Sequence, residues 1–245
     1  MKQLPLKVHD LAFLWPGAEK CLFSGVSFEF VPGTVSAIMG ANGSGKTTWL
    51  EVISQRLPAE RGNVRAGDRP VLADDFNYLP QDSARLLFSH LTLADNIALQ
   101  RDAGNASLPP MVRDLFREKE TLARYPAQCS GGQRQRAVVC RAILDMPHFP
   151  VTLLDESFSQ LSRDAKATLG PALRNTAKES GAIVVFVTHD LFDAMRFADQ
   201  VLVLADGQLA GFDTSDVTSE EDCWKQVARR EEILHRLRLS NGAIA

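Results

Sequence analysis

Residues 40–48 read Gly40-Ala41-Asn42-Gly43-Ser44-Gly45-Lys46-Thr47-Thr48. Gly40, Gly45, Lys46 and Thr47 fit the phosphate-loop pattern G-x-x-x-x-G-K-[ST]. The flanks suit it. Val35-Ser36-Ala37-Ile38-Met39 is a short apolar run that predicts a buried strand, and Trp49, Leu50, Ile53 and Leu57 fall on one helical face. Strand, glycine loop and helix together make a phosphate cradle. Glycines let backbone N–H groups converge on phosphate oxygens, and the helix N-terminus adds partial positive charge. The pattern places Lys46 on the outer phosphates and the Thr47 hydroxyl on Mg²⁺. A dinucleotide reading of Gly43-x-Gly45 fails because Thr48 stands where the third glycine belongs. The stretch therefore predicts a nucleoside triphosphate site.

The rest of the chain sets bounds on that site. The 245 residues allow one large domain or one with an inserted lobe, and 45% hydrophobic with 23% charged is an ordinary soluble globular balance. A net charge of −3 gives no global field to recruit nucleic acid, and no nucleic-acid partner is expected. Cys21, Cys129, Cys140 and Cys223 lie far apart and form no C-x-x-C, which suits a reducing compartment and gives zinc no support. The N-terminus has no apolar run of signal length, and no stretch approaches the ~18 apolar residues of a membrane span.

In chain order, residues 6–31 read as strands, with Val26, Phe28 and Phe30 alternating with Ser27 and Glu29. Trp15-Pro16-Gly17 reads as a turn. Pro58 to Pro70 is rich in Gly, Arg and Asp and reads as turns. Phe76 to Leu79 leads into Pro80, which ends any strand and leaves Gln81 at its exit. Thr92–Leu99 and Pro110–Arg124 read as short helices, with Asp102–Pro110 a loop between them, and no strand signal appears between 83 and 128.

Cys129-Ser130-Gly131-Gly132-Gln133 opens another helix, with Ser130 and Gln133 at capping-box spacing. Val151–Leu154 is an apolar run ending in Asp155-Glu156, suited to a parallel strand with carboxylates at its C-terminal edge. Asp155 could hold Mg²⁺ there and Glu156 could take a proton from water. Ala182–Val187 is a second such run, ending in Thr188-His189, where His189 could face a γ-phosphate. Leu191–Ala198 reads as a helix and Val201–Leu204 as a strand. Ser219 to Leu239 reads as one amphipathic helix, with Thr218 and Glu221 as its capping box and Trp224, Val227, Ile233, Leu234 and Leu237 as an apolar stripe that packs on the core.

Together these motifs resemble those of the ATP-binding-cassette (ABC) ATPase family over residues 8 to about 210. Gly40–Thr48 resembles its Walker A motif and Gln81 its Q-loop glutamine. Cys129–Gln133 resembles the signature, usually Leu-Ser-Gly-Gly-Gln. Asp155-Glu156 resembles Walker B with its catalytic glutamate, and His189 the switch histidine. The resemblance implies a P-loop NTPase (RecA-like) α/β core at about 1–82 and 142–215, with a small antiparallel β subdomain. It also implies an inserted helical subdomain at about 83–141 and a C-terminal helix at about 219–239, all within one domain.

The same resemblance implies two cassettes paired head to tail around two ATPs. Each ATP would touch Gly40, Asn42, Gly43, Ser44, Gly45, Lys46, Thr47 and Thr48 of one subunit and Ser130, Gly131, Gly132 and Gln133 of the other. Trp15 aligns with the aromatic that stacks on adenine. Thr47, Gln81 and Asp155 would hold Mg²⁺, and Glu156, His189, Lys46 and Gln81 would carry the catalysis. The implied partners are transmembrane permease subunits, a second ABC ATPase subunit and, through the permease, an extracytoplasmic solute-binding protein. The implied location is peripheral, on the cytoplasmic face of the inner membrane. Leu91–Ile97 resembles a segment of bacterial importers, so import is favoured over export.

The alternative is a soluble ABC ATPase acting on DNA or ribosomes. It is disfavoured because only 48 residues separate Gln81 from Ser130, too few for a long coiled-coil insertion, and because one cassette is present. A non-hydrolysing regulatory cassette is disfavoured because Lys46, Glu156 and His189 are all present. Three departures stand out: Cys129 for the signature leucine, with thiol sensitivity expected; Ser157 where proline is common; and Ser159-Gln160-Leu161-Ser162 where Ser-Ala-Leu-Asp is common, expected to weaken communication between sites.

Overall fold

The computed structural model describes residues 4–99, 108–116 and 119–242. In chain order the elements begin with β1 (Leu6–Phe13), β2 (Phe23–Phe30), β3 (Val35–Met39), α1 (Lys46–Ile53), β4 (Arg61–Ala66), β5 (Arg69–Pro70) and β6 (Phe76–Leu79). The short helices α2 (Leu93–Ile97), α3 (Pro110–Leu115) and α4 (Lys119–Leu122) precede α5 (Gly131–Asp145) and β7 (Val151–Leu154). Then follow α6 (Arg163–Ser180), β8 (Ile183–Val187), α7 (Leu191–Phe197), β9 (Gln200–Ala205), β10 (Gln208–Asp213) and α8 (Glu220–Gly242).

Two sheets result. The larger runs β10-β9-β3-β8-β7-β6, parallel throughout except for the β9–β10 hairpin, and the smaller runs β2-β1-β4-β5, all antiparallel. The parallel strands are buried on both faces, which explains their mostly apolar sequences, interrupted by Ser36 in β3 and Thr152 in β7. Alternate residues serve two cores. Ile183, Val185 and Val187 join α1 and the small sheet, while Val184 and Phe186 join α5, α6 and α7.

The sequence predicted turns over 58–70, but Arg61–Ala66 pairs antiparallel with β1 as β4. It buries only Val64 and Ala66, so it lacks the apolar content that marks a strand. β10 was likewise not anticipated, since it buries little beyond Phe212.

The tail is helical as predicted, but two details differ. The Ser219 hydroxyl, not that of Thr218, accepts from a first-turn amide, that of Asp222. Trp224 is 56% exposed, while Cys223 and Val227 are the buried positions. The stripe is therefore centred one residue from the tryptophan. Ile233, Leu234 and Leu237 lie outside the described side chains, and most of the predicted Asp102–Pro110 loop lies outside the described residues.

Two packing details are testable. Gly170 sits mid-helix in α6, where a Cβ would lie 2.1 Å from the Phe197 ring. Alanine in place of glycine normally gains about 1 kcal/mol of helix propensity. Here overpacking, typically 1–3 kcal/mol, outweighs it. Gly170→Ala is expected to lower the urea midpoint, and a raised midpoint would refute the close α6–α7 approach. Asp145, at the end of α5, is pushed up to about 6 by burial, against the opposing pull of Arg141 and His148. The unfolded chain loses this proton near pH 4 and the folded chain near 6, so stability falls across that window. The cost is fully present at neutral pH, up to about 3 kcal/mol. Asp145→Asn should raise the melting temperature at pH 7.5 and converge with wild type near pH 4. A difference that does not vary with pH would contradict this account.

Candidate nucleotide site

The loop between β3 and α1 is shaped by its glycines. Gly40 has φ +146°, and a Cβ there would lie 2.2 Å from the Leu204 carbonyl oxygen of β9, so only glycine fits. Gly45, at φ +96°, caps α1 without a side-chain bond. The first turn of α1 holds no acidic residue, which leaves its N–H groups and partial positive charge for an anion. The buried Lys46 ammonium donates to the Gly40 and Ala41 carbonyls at 3.0 and 2.8 Å. Burial lowers its pKa, and the Glu156 and Asp155 carboxylates push it back up.

Asp155 follows β7 and is almost wholly buried, its N–H bonded to the Leu79 carbonyl at 2.8 Å. Burial raises its pKa, and a hydrogen bond from Thr47 opposes that rise. Its Oδ1 has no hydrogen-bond partner. An orphaned carboxylate oxygen beside a hydroxyl, with the Gln81 amide in the same site, supplies the hard oxygen donors that suit Mg²⁺. Among the described residues no group of three or more His, Cys, Asp or Glu could hold a metal alone. Magnesium sites are ordinarily completed by phosphate and water, so this does not tell against the donor set.

Glu156 is the meeting point. Its Oε2 accepts from Gln81 Nε2 at 2.9 Å, and its Oε1 lies 3.0 Å from His189 Nε2. These three residues leave three different strands, β7, β6 and β8. The Glu156 backbone is left-handed at φ +52°, a conformation that costs a non-glycine residue on the order of 1 kcal/mol. Its carbonyl accepts from the Gln160 N–H at 3.2 Å, and Gln160 Nε2 donates to the Gln81 carbonyl at 3.2 Å. A partly exposed carboxylate held between an amide and an imidazole can orient water and accept a proton.

Trp15, Asn42, Gly43, Gly45, Lys46, Thr47, Thr48, Gln81, Glu156 and His189 all line one cavity of about 530 Å³. Trp15 is half-exposed at its rim, edge-on to Phe13 at 4.9 Å. Ser44 lines an adjoining cavity with Asn42 and Gly43, and its Oγ is buried without a partner. A larger groove of about 1020 Å³ on the far side of Glu156 and His189 lies over α6 and α7 and has no glycine cradle.

Ser130, Gly131, Gly132 and Gln133 are not brought to this cavity. They form the exposed start of α5, where Ser130 and Gln133 close a reciprocal capping box at 2.8 and 3.2 Å. Gln133 lines a separate cavity with Ser162 and Asp164. Cys129 is buried, its Sγ 3.3 Å from the Tyr125 carbonyl, and burial raises its pKa. Both features oppose the expected thiol sensitivity. Ser162 caps α6 by accepting from the Ala165 N–H, a task serine performs as well as aspartate.

Sequence reasoning missed Gln135 and Ser83. Both are buried, and Gln135 Nε2 donates to the Ser157 carbonyl at 2.7 Å and to Ser83 Oγ at 3.2 Å. The signal was there: Gln135 falls in register with Val138, Val139 and Ala142 on the buried face of α5.

The ABC transporter family profile matches residues 23–159. The chain is 34% identical over 206 residues to the sulfate/thiosulfate import ATP-binding protein CysA of Mesorhizobium japonicum, covering 78% of this chain and 58% of that one. It is 38% identical over 208 residues to the molybdenum import ATP-binding protein ModC of Mycobacterium tuberculosis, covering 76% and 55%. The chain thus spans just over half the length of these curated relatives. A solved ATP-binding subunit of an ABC transporter superposes with TM-score 0.74 at 25% identity, covering 91% of this chain and 99% of that one. On these matches the chain belongs to the ABC transporter family.

Proposed function

We propose that this chain is the ATP-binding and hydrolysing subunit of an ABC transporter, powering solute import through separate membrane subunits. The observation that carries the reading is the Glu156 carboxylate, held by Gln81 and His189 on a cavity floored by the Lys46 loop. ATP is the substrate. Its phosphates would lie on the Gly43–Thr48 backbone and Lys46, and its base against Trp15. Thr47, Gln81 and Asp155 would hold Mg²⁺, which would supply charge neutralisation for the transferring phosphoryl group.

The chain's own groups then do the rest. Glu156 orients the attacking water and accepts its proton, and His189 holds both that carboxylate and the γ-phosphate. Lys46 exchanges its loop carbonyls for phosphate oxygens. Catalysis on this reading is positioning and charge stabilisation.

Ser130, Gly131 and Gly132 act in trans, on the ATP of a second cassette, either another copy or a different one. Their exposure supports this. At Gly131 and Gly132 a Cβ would meet nothing within 4 Å, so this chain's own packing does not demand glycine there. A close-approaching ligand on a facing subunit supplies the demand. Closure of the pair completes the site and couples hydrolysis to motion.

The permease is proposed to dock beside the Gln81 loop. Leu86, Phe88 and Leu99 in the following segment are exposed apolar side chains of the kind a partner covers. Among the described residues no helix is long and apolar enough to cross a membrane. As the partner of a permease, the chain would sit peripherally, on the cytoplasmic face of the inner membrane, with a solute-binding protein engaged through the permease. Import is favoured because the relatives named above are import proteins.

Two variants test this. Glu156→Gln should cut turnover at least ~100-fold while ATP still binds, and should accumulate an ATP-bound dimer by light scattering. A monomer in saturating MgATP would overturn the paired-cassette arrangement. Lys46→Ala should weaken ATP binding and abolish turnover. Undiminished ATPase activity in that variant would remove the phosphate-loop assignment.

A further inference from the structure

Gln135 is a polar side chain at the meeting of three segments. Its amide nitrogen donates to the Ser157 carbonyl at 2.7 Å, one residue beyond Glu156. The same nitrogen lies 3.2 Å from Ser83 Oγ, two residues beyond Gln81, and that hydroxyl faces the Gln135 amide oxygen at 3.4 Å. Gln135, Ser83 and Ser157 are all buried, at 6%, 0% and 0% exposure. The bonds are therefore unscreened by solvent, and breaking one leaves a buried group unsatisfied.

The anchoring point matters because Glu156 is held in a left-handed backbone at φ +52°. Such a conformation persists only where its surroundings over-determine it. The carboxylate is fixed by Gln81 and His189, and the backbone after it is fixed by Gln135. The other end of the connection is rigid. Gln135 lies little more than one helical turn from Ser130, so the exposed Ser130–Gly132 turn and the Gln135 amide move as one body.

We propose that Gln135 is a positioning residue that ties the Ser130–Gln133 helix start to both the Glu156 and the Gln81 backbone. A shift of the start of α5, where a second cassette's nucleotide would press, is transmitted to the two groups that face this cassette's own nucleotide. Gln135 touches no substrate; it acts through the Ser157 carbonyl and the Ser83 hydroxyl. This rests on the function proposed above.

The test uses the full-length chain. Gln135→Met keeps the volume and removes both donor bonds, and Ser83→Ala cuts only the arm towards Gln81. Gln135→Met should lower kcat ~10-fold or more, the scale on which small misplacements of a reacting group act. KM for ATP and the binding of a fluorescent ATP analogue should stay within about twofold. Ser83→Ala should lower kcat about threefold at unchanged KM, on the same argument. A purely structural role would instead lower the melting temperature and the active fraction without separating kcat from KM in the folded protein. Wild-type kcat in either folded variant, or a raised KM at unchanged kcat, overturns the proposal. Should Gln135→Met fail to fold, Ser83→Ala decides alone. Glu156→Gln is measured alongside. If it turns over normally, the hydrolytic reading itself has failed. If it is inactive while Gln135→Met is fully active, only this inference has.

Discussion

Strand register in the parallel sheet is the constraint on which the site depends. Leu79 pairs with Leu154, Leu154 with Phe186, and Ile38 with Val187. Four strands therefore end along one rim, and the residues two positions beyond Leu79, Leu154, Val187 and Ile38 are Gln81, Glu156, His189 and Gly40. A one-residue slip in any of these strands would turn its functional residue to the opposite face. The alternation of the buried strands between two cores is what forbids the slip. Val185 and Phe186 have different partners above and below the sheet, so exchanging them would leave two mismatched packings.

This explains which parts were legible in the sequence. The phosphate loop, the carboxylate pair and the histidine sit at the ends of fully buried strands, and such strands are dominated by apolar residues, with Ser36 and Thr152 the small buried exceptions. A polar residue that ends such a run is conspicuous: Asp155 after Leu154, Thr188 after Val187. The antiparallel sheet has no equivalent mark. β4 buries two residues of six and is held to β1 by backbone bonds and by the exposed Arg61–Asp10 pair, so its composition is that of a turn. Trp224 misled for the converse reason. A tryptophan in a helical apolar pattern reads as core, but the buried face is carried by the smaller Cys223 and Val227, which join the main core. The burial of Gln135 was legible in its helical register, but its partner was not, because the hydrogen bond runs to a carbonyl 22 residues away and no spacing rule encodes that.

The single chain also shows what it lacks. Ser130 caps α5 through a closed capping box, but Gly131 and Gly132 stand in open space, where no packing among the described residues demands glycine. A capping box alone needs no glycine at the first two helical positions, where glycine costs about 1 kcal/mol each relative to alanine. That cost is understandable if another surface must come within backbone distance of the turn, and it agrees with the separation between this turn and the Lys46 cavity.

The same logic applies to the local faults of the cavity itself. Glu156 adopts a left-handed backbone, Asp155 leaves Oδ1 unpartnered and burial raises its pKa, Ser44 and Ser157 bury lone hydroxyls, and Lys46 spends a buried ammonium on two loop carbonyls. Each departure costs stability, by about 1–3 kcal/mol for a strained residue or an unmet buried polar group. Similar orphans occur elsewhere, at Asp145 and Thr152 for example, so one alone would mean little. Their concentration around one loop and one strand end means something different. A phosphate and a cation would relieve several of them together, giving Ser44 an oxygen to donate to, Lys46 an anion in place of neutral carbonyls and Asp155 Oδ1 a charge to meet. Binding free energy would then come partly from removing these faults, and this ties affinity for nucleotide to the strand register that assembles them.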